Sequence, residues 1–227
     1  MWRCSGAPEL LDQRAYAHLD ELRGNLADMA RYGRWLGAFA LARRLLAMLP
    51  ARRLALGVDL GCGSGEFIAS IRSTDIARCW VGVDLSEDVL RIARRQRSAV
   101  AFLCADAGRL PLADVSADVI VGLHILHHFD PPLAVDLLRE CRRIARACAV
   151  FVDLSRSAFV LSAAWLLTRL TSRNRLTRSD SVLSVRRAYT VAEAAHLAQQ
   201  AGWEHVRARQ HGPFYYSLTL LASSSSA

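Results

Sequence analysis

The spacing of apolar and polar positions changes along the chain, and each spacing predicts a type of element. Apolar residues recur every three or four positions over residues 10–49, which predicts two or three helices before the core. Buried strands are predicted for the short apolar runs at 54–60, 79–85, 100–106, 117–126 and 148–154. Helical patterns occupy residues 66–73, 86–97 and 131–146. Strands separated by helices predict a parallel sheet that is covered on both faces.

The last third of the chain interrupts this alternation. Residues 155–188 contain an apolar helix and then a basic, polar stretch, which predicts a helical lid inserted into the fold. A further helix begins after Thr190, with Glu193 completing a capping box and Gly202 as the stop signal. Two strands, at 203–210 and 214–222, follow that helix.

The domain organisation follows from these elements. A length of 227 residues fits one large domain with an elaborated cap. We expect an N-terminal helical cap at 1–50, an α/β domain at 51–222 with the lid at about 155–188, and a disordered tail at 223–227.

Composition and charge narrow the class of protein. The chain is 52% hydrophobic and 22% charged, which is typical of a folded globular protein. The net charge is +8, and all 29 basic residues are arginine. Because these arginines are scattered and interleaved with acids, they do not form the clustered footprint of a nucleic-acid-binding protein. Modification of RNA stays open as an alternative, and nothing in the sequence indicates an oligomeric state.

Cysteines and apolar segments bear on the cellular location. The six cysteines show neither close pairs nor the spacing of a metal site, so we expect reduced thiols, a cytoplasmic protein and no bound metal. Early charges at the N-terminus do not fit a secretory signal. The apolar run at 158–168 is too short for the roughly 20 residues of a membrane span. It fits a lid over an apolar substrate or an interfacial helix in peripheral contact with a membrane.

A glycine-rich turn follows the first predicted strand. Its pattern is Asp59-x-Gly61-x-Gly63-x-Gly65, which differs from the GxGxxG fingerprint of dinucleotide-binding proteins. Acidic residues then stand at the ends of the next two strands, Asp84 and Asp106, and "LHHF" follows the fourth strand. This set resembles the motifs of the class I S-adenosylmethionine (SAM)-dependent methyltransferases, and the two final strands match the way that family ends.

The resemblance implies a fold and a cofactor site. The fold is a Rossmann-like seven-stranded α/β sheet in the order 3-2-1-4-5-7-6, with the last strand antiparallel and helices on both faces. SAM would lie with its amino-acid part against the glycine turn, its ribose hydroxyls on Asp84 and its adenine amine on Asp106. The cofactor-binding candidates are Asp59, Gly61, Cys62, Gly63, Gly65, Asp84, Leu85, Asp106, Ala107 and Leu123.

The group that accepts the methyl must be activated by residues outside the cofactor site. An oxygen acceptor must lose a proton, and histidine is the natural base near neutral pH. His127 and His128 follow the fourth strand and Asp153 ends the fifth, so the three are our candidate catalytic residues. The arrangement is similar to that of small-molecule O-methyltransferases related to the menaquinone C-methyltransferases, where these positions line the acceptor pocket. A histidine that only packs against the cofactor is the alternative.

Two further segments indicate where the substrate binds. Residues 33–38 read Gly-Arg-Trp-Leu-Gly-Ala and resemble the Asn-Arg-Trp-Leu-Gly-Gly of a bacterial methyltransferase subgroup associated with polyketide and phenolic metabolism. We therefore expect substrate contacts from Arg34 and Trp35, together with Trp165 in the lid and His211 at the pocket rim.

These observations favour one function over three alternatives. The expected activity is transfer of a methyl group from SAM to a hydroxyl of a small aromatic, quinone-like or polyketide metabolite. Methylation of a ring carbon of a quinol is an alternative for the same fold. An NAD(P)-binding Rossmann oxidoreductase and a catalytically inactive SAM-binding partner are the alternatives from other classes.

Overall fold

Seven strands form one sheet at the centre of the protein. A computed structural model describes residues 8–49, 54–72 and 76–222. Within these ranges the strands are β1 (Leu54–Leu60), β2 (Ala77–Asp84), β3 (Ala101–Cys104), β4 (Ala117–Leu123), β5 (Ala145–Leu154), β6 (His205–His211) and β7 (Tyr215–Leu221).

The strand order is β3-β2-β1-β4-β5-β7-β6, which confirms the expected topology. Strands β1 to β5 pair in parallel, and β7 runs antiparallel to both β5 and β6. In the register, Leu60 pairs with Val83 on one side and with Gly122 on the other. The carboxyl ends of β1, β2 and β4 therefore meet at one edge of the sheet, where α/β folds bind their ligands.

Helices cover both faces of the sheet. The helices within the described ranges are α1 (Leu19–Trp35), α2 (Ala38–Ala47), α3 (Glu66–Ile71), α4 (Glu87–Gln96), α5 (Pro131–Ile144), α6 (Ala158–Thr171), α7 (Arg175–Arg187) and α8 (Val191–Gln200). Side chains alternate across β4, so that Val119 and Val121 pack with α2 and α3 while Ile120 packs with α5 and α8. Two apolar cores, one on each face, result from this alternation.

Local signals set the ends of several helices as the sequence predicts. The Thr190 hydroxyl accepts a hydrogen bond from the Glu193 N–H, and the Glu193 carboxylate accepts one from the Thr190 N–H, which completes the capping box of α8. Gly202 follows that helix with a φ of 87°, a conformation that favours glycine. The Ser86 hydroxyl caps α4 in the same way, by accepting from the Val89 N–H.

The inserted segment is more regular than its sequence indicates. Its apolar part forms α6, as expected, but the polar stretch after it also forms a helix, α7. Asn174 caps α7 by accepting from the Thr177 N–H, and the buried face of α7 carries polar side chains. Those side chains bond to α1 and to the N-terminal segment, as Asp180 does by accepting from the N–H groups of Leu10 and Leu11. Periodicity missed α7 because its inward face is polar.

The described part of the N-terminal cap consists of α1 and α2 behind a turn at residues 10–14. The predicted disordered tail at 223–227 lies outside the described residues, as do residues 1–7 and 50–53. None of the helices that the structure describes combines the length and apolar character that a membrane span requires. Five cysteines lie in the described ranges, and all five are free thiols.

The fourth strand is shorter than predicted. The apolar run extends to residue 126, but β4 ends at Leu123 and His124 has a φ of 53°. A single 3₁₀ turn over Leu126–His128 follows. The predicted strand at 117–126 therefore extends three residues too far, and His124 lies outside it. The sequence pattern overestimated the length of the strand because Ile125 and Leu126, which follow the strand, are also buried.

Gly122, which pairs with Leu60 next to the site, allows a test of this packing. A Cβ atom at this position would lie 2.6 Å from the Phe151 ring and 2.8 Å from Ile125 Cγ2. We expect Gly122→Ala to lower the free energy of unfolding by about 1 to 3 kcal/mol, because both neighbours are held in a close-packed core. Urea unfolding measures the change. Gly108→Ala is the control, since its Cβ would lie no closer than 3.4 Å to Asp106 Oδ1. An equal loss in both variants would contradict the packing argument.

Candidate active site

The glycine turn between β1 and α3 forms one wall of a cavity at the carboxyl edge of the sheet. Gly61, Gly63 and Gly65 have φ values of 65°, 53° and 73°, in the left-handed region that favours glycine. A Cβ atom on Gly61 would lie 2.9 Å from Ile125 Cδ1, and one on Gly65 would lie 2.9 Å from the Phe102 ring. The spacing of the three glycines is thus required by the backbone conformation and by two close approaches.

Asp84 joins this turn to the end of β2. Its Oδ2 accepts a hydrogen bond from the Gly63 N–H at 3.1 Å, and its Oδ1 accepts one from the Ser86 N–H at 2.9 Å. Burial raises the pKa of Asp84, although the two N–H groups oppose that shift. Each oxygen keeps a second acceptor position, so the carboxylate fits the two ribose hydroxyls that the family places there.

Asp59 is buried behind the same turn. Its Oδ2 is a buried oxygen without a hydrogen-bond partner among the described residues. Burial, together with the charge of Asp84, raises the pKa of Asp59 to about 8. A buried acceptor of this kind is stabilised by a cation or a donor. The positively charged amino-acid end of SAM fits that requirement.

The structure brings nine of the ten cofactor candidates to the cavity wall. Asp106 and Ala107 follow β3, and the Asp106 carboxylate accepts a hydrogen bond from the Gly108 N–H at 2.8 Å. Gly65 is the exception, because it lies at the start of α3 against Phe102. The nine at the wall are Asp59, Gly61, Cys62, Gly63, Asp84, Leu85, Asp106, Ala107 and Leu123. Their contacts with SAM stay predictions.

The pKa of Asp59 gives a testable pH dependence. SAM carries positive charge that favours the ionised carboxylate, so binding at neutral pH is expected to release a proton from Asp59. The affinity for SAM should therefore rise with pH up to about 8, the pKa of Asp59 in the free protein, and level off above it. Titration calorimetry in buffers of different ionisation enthalpy measures the proton release. Asp59→Asn is the matched control, and unchanged proton release in that variant would refute the assignment.

His127 and Asp153 form a buried pair beside the part of the cavity where the methyl acceptor is expected, which we call the acceptor end. His127 Nδ1 lies 2.6 Å from Asp153 Oδ1, and the His127 backbone N–H donates to Asp153 Oδ2 at 3.2 Å. Burial alone would lower the pKa of His127, but the charge and hydrogen bond of Asp153 raise it above its ordinary value. The same pairing holds the pKa of Asp153 low against the effect of burial. The carboxylate therefore orients the imidazole and stabilises its protonated form.

Two acids from the N-terminal segment complete this cluster, and sequence reasoning missed both. Glu9 Oε1 lies 3.6 Å from His127 Nε2, and Glu9 Oε2 lies 3.9 Å from His128 Nε2. Asp12 lies 3.1 Å from His128 Nδ1. Burial alone would raise the pKa of Glu9, but the adjacent histidines and the Ser184 hydroxyl lower it to about 2. No spacing rule links residue 9 to residue 127.

Arg187, at the end of α7, fixes the turn that carries the two histidines. Its guanidinium donates to the backbone carbonyl of His127 at 3.0 Å and also to that of His128. Sequence reasoning placed this residue in a polar stretch without a role. The inserted segment therefore supports the site as well as covering it.

The remaining histidine of the site has a different environment. His124 stacks on the Tyr215 ring at 5.4 Å and is partly buried, with a buried Nε2 atom. Burial lowers its pKa to about 4, so it is neutral at physiological pH. His124 lines the cavity but lies outside the group formed by Glu9, His127 and His128.

The cavity is large, and its acceptor end is mainly apolar. Its volume is about 840 Å³. Apolar side chains from three helices close it, and they are Leu26, Met29, Ala30 and Leu36 near α1, Phe39 from α2, and Val160, Ala163, Ala164 and Leu167 from α6. The expectation that residues 158–168 cover an apolar pocket therefore agrees with the structure.

The four substrate-binding candidates all lie outside the cavity wall. The Arg34 guanidinium lies 2.9 Å from Glu66, and His211 Nε2 lies 2.8 Å from the Ser217 hydroxyl. Trp35 and Trp165 are 64% and 52% exposed. Helical phase explains Trp165, because positions 160, 163, 164 and 167 share the inward face of α6 and position 165 does not. The outward face exposes Phe159, Leu166 and Leu170, and its contact with a membrane stays a prediction.

Comparison with known proteins agrees with this geometry. A family model described as a methyltransferase domain matches residues 58–147. The malonyl-[acyl-carrier protein] O-methyltransferase of Marinomonas sp. (strain MWYL1) is 34% identical over 128 residues, which are 54% of this chain and 47% of that protein. The 27-O-demethylrifamycin SV methyltransferase of Amycolatopsis mediterranei (strain S699) is 37% identical over 113 residues, 47% of this chain and 40% of that protein. The chain thus spans about half the length of the curated relatives it matches.

Solved structures show the same fold at low sequence identity. The plantazolicin methyltransferase BpumL in complex with SAH has a TM-score of 0.67 at 14% identity and covers 90% of each chain. The magnesium protoporphyrin IX methyltransferase of Synechocystis PCC 6803 with bound SAM has a TM-score of 0.60 at 15% identity, over 97% of this chain and all of that one. Fold, glycine turn and matched family model agree, and residues 58–147 therefore carry a methyltransferase domain within the fold that solved SAM-dependent methyltransferases share.

Proposed function

We propose that this protein transfers the methyl group of SAM to a hydroxyl of a small, largely apolar metabolite of the aromatic, quinone-like or polyketide type. The observation that carries the proposal is the His127–Asp153 pair, because His127 lines the same cavity as Asp84 and the glycine turn. One cavity then holds a site for the methyl donor and a base for the acceptor.

The chain's own residues account for the steps that a methyltransferase must support. SAM supplies a methyl group on a sulfonium, which an acceptor oxygen attacks in line. The apolar walls contributed by α1, α2 and α6 exclude water and position an apolar acceptor. His127 accepts the hydroxyl proton at Nε2 when its imidazole is neutral, and because Asp153 raises the pKa of His127 to about 10, this neutral form is the minor one near neutral pH. Asp153 stabilises the imidazolium that forms.

The relatives support an oxygen acceptor. Two of the matched proteins are named for O-methylation, one of malonyl-[acyl-carrier protein] and one of 27-O-demethylrifamycin SV. We extend only the reaction type to this chain, because its own acceptor pocket is built from α1, α6 and the N-terminal segment, and the family model covers none of these.

The experiment uses SAM that carries a ¹³C-labelled methyl group and an extract of small metabolites from the host. Mass spectrometry identifies the molecule that gains the label, and the carbon chemical shift separates a methoxy group from a C-methyl group. A methoxy product is expected. A C-methyl product would replace the O-methylation proposal with methylation of a quinol ring. Binding of NADH in place of SAM would refute the methyltransferase proposal altogether.

A further inference from the structure

Glu9, His127 and His128 lie close together in the site. A reaction that needs only one proton acceptor would not require all three side chains. One potential ligand atom of each residue lies within 4.8 Å of the other two. Glu9 and His127 are buried, and His128 is partly exposed to the cavity. All three residues line the acceptor end of the cavity.

Both imidazoles are oriented from behind by a carboxylate. Asp153 lies 2.6 Å from His127 Nδ1, and Asp12 lies 3.1 Å from His128 Nδ1. A carboxylate on Nδ1 fixes the tautomer that leaves a lone pair on Nε2, which is the arrangement that accompanies most histidine ligands of metals. Both Nε2 atoms then face Glu9. A single general base needs one such ring, whereas this site has two.

The negative charge around His127 and His128 also favours binding of a cation. Three carboxylates, Glu9, Asp12 and Asp153, surround two imidazoles. With neutral imidazoles the group carries three negative charges, and Glu9 and Asp153 are buried. Even with both rings protonated, the three carboxylates outnumber the two positive charges, and the ring centroids lie only 4.5 Å apart. A divalent ion between Glu9 and the two rings would offset this negative charge.

We propose that Glu9, His127 and His128 bind a divalent first-row transition-metal ion at the acceptor end of the cavity. Two histidines and one carboxylate are the donor set of catalytic zinc sites and of non-haem Fe(II) sites. Glu9 lies 3.6 Å from His127 Nε2 and 3.9 Å from His128 Nε2. Ligands of a tetrahedral zinc ion are separated by roughly 3.4 Å, so small side-chain movements suffice to close the site.

The ion would keep open positions toward the cavity. The three ligands approach from the turn after β4 and from the N-terminal segment, and the apolar pocket lies on the remaining side. An acceptor with an oxygen donor, such as a phenolate, would bind at such a position and be held there for methylation. This role rests on the proposed function, since it assumes that an oxygen acceptor occupies the pocket. Binding of the ion itself does not depend on that assumption.

The test measures metal binding rather than activity. Protein purified without chelators is analysed for metals, stripped with dipicolinate, and titrated with Zn²⁺ by calorimetry and with Co²⁺ by visible absorption. We expect stoichiometric binding and Co²⁺ absorption bands typical of mixed nitrogen and oxygen ligands. Glu9→Gln and His128→Gln should each weaken Zn²⁺ binding by more than about tenfold. The matched control is His124→Gln, a partly buried histidine of the same cavity outside the cluster, and this variant should bind Zn²⁺ as the wild type does.

A further variant and a second ligand separate the outcomes. Asp12→Asn changes a partly exposed residue and should weaken binding by about tenfold and shift the Co²⁺ bands, even if the buried variants fail to fold. Zn²⁺ affinity that is equal in wild type, Glu9→Gln and Asp12→Asn would overturn the proposal, as would absence of binding to the stripped protein. SAH binding is measured on the same samples. Protein that binds SAH but no metal refutes only the metal site, whereas protein that binds metal but no SAH refutes the proposed function.

Discussion

Replacement of His127 by asparagine is expected to lower kcat for methyl transfer by about a hundredfold to ten-thousandfold, while the affinity for SAH stays within about threefold of the wild type. His127 contacts Asp153 and lines the cavity, whereas the cofactor is expected to bind at Asp84 and the glycine turn. The loss therefore falls on the acceptor step, whether the imidazole takes the proton itself or holds a metal ion. Single-turnover assays with labelled SAM measure the rate, and calorimetry measures SAH binding.

Two further variants sharpen this prediction. His196→Asn makes the same chemical change on an exposed face of α8 and should leave the rate unchanged. Asp153→Asn should lower the rate as well, and the double variant should be little worse than either single one, because the two residues act as a unit. Retention of the wild-type rate by His127→Asn would contradict the proposed role of the pair. Addition of dipicolinate to the wild type then separates a metal-dependent reaction from direct proton transfer.

Replacement of Asp84 by alanine is expected to weaken SAH binding by about a hundredfold or more. Hydrogen bonds to a charged group contribute about 1.5 to 3 kcal/mol each, and Asp84 is predicted to accept two from the ribose. The change also removes the acceptors of the Gly63 and Ser86 N–H groups, which leaves the glycine turn without one of its anchors. Calorimetric titration with SAH measures the loss.

Asp106→Ala provides the matched control for that variant. Asp106 follows the neighbouring strand and also lines the cavity, but it is predicted to accept a single hydrogen bond from the adenine amine. Its removal should weaken SAH binding by only about tenfold. An affinity for SAH that Asp84→Ala leaves within about threefold of the wild type would refute the cofactor assignment. Thermal unfolding of each variant confirms that the sheet is intact.

The cofactor side of the cavity was predictable because it depends on strand ends. Asp59, Asp84 and Asp106 each end a buried apolar run or follow it closely, and a parallel sheet brings such ends to one edge. The same reasoning placed His127 with Asp153, which the structure holds 2.6 Å apart. Apolar runs that end in acids, together with the resemblance to the class I methyltransferases, were sufficient for these residues.

The acceptor side was not predictable in the same way. Glu9 and Asp12 lie in a turn that carries no periodic signal, and they reach the histidines across more than a hundred residues of sequence. Arg187 lies on α7, whose buried face is polar because Thr177, Asp180 and Ser184 bond to the N-terminal segment and α1. A search for periodic hydrophobic residues cannot detect a buried helix face that is made of polar side chains. Trp165 was misplaced because an apolar run shows which residues are hydrophobic but not which side of the helix faces the cavity.

The sequence by itself determined the strands, the glycine turn and the acids at the strand ends, since these depend on local patterns, and it gave the order of the strands through its resemblance to a known family. Only the tertiary structure decided which side chains form the acceptor site. That choice depends on how the N-terminal segment, α6 and α7 pack over the edge of the sheet, and packing between distant segments follows from the complementarity of whole surfaces rather than from the spacing of residues within one segment.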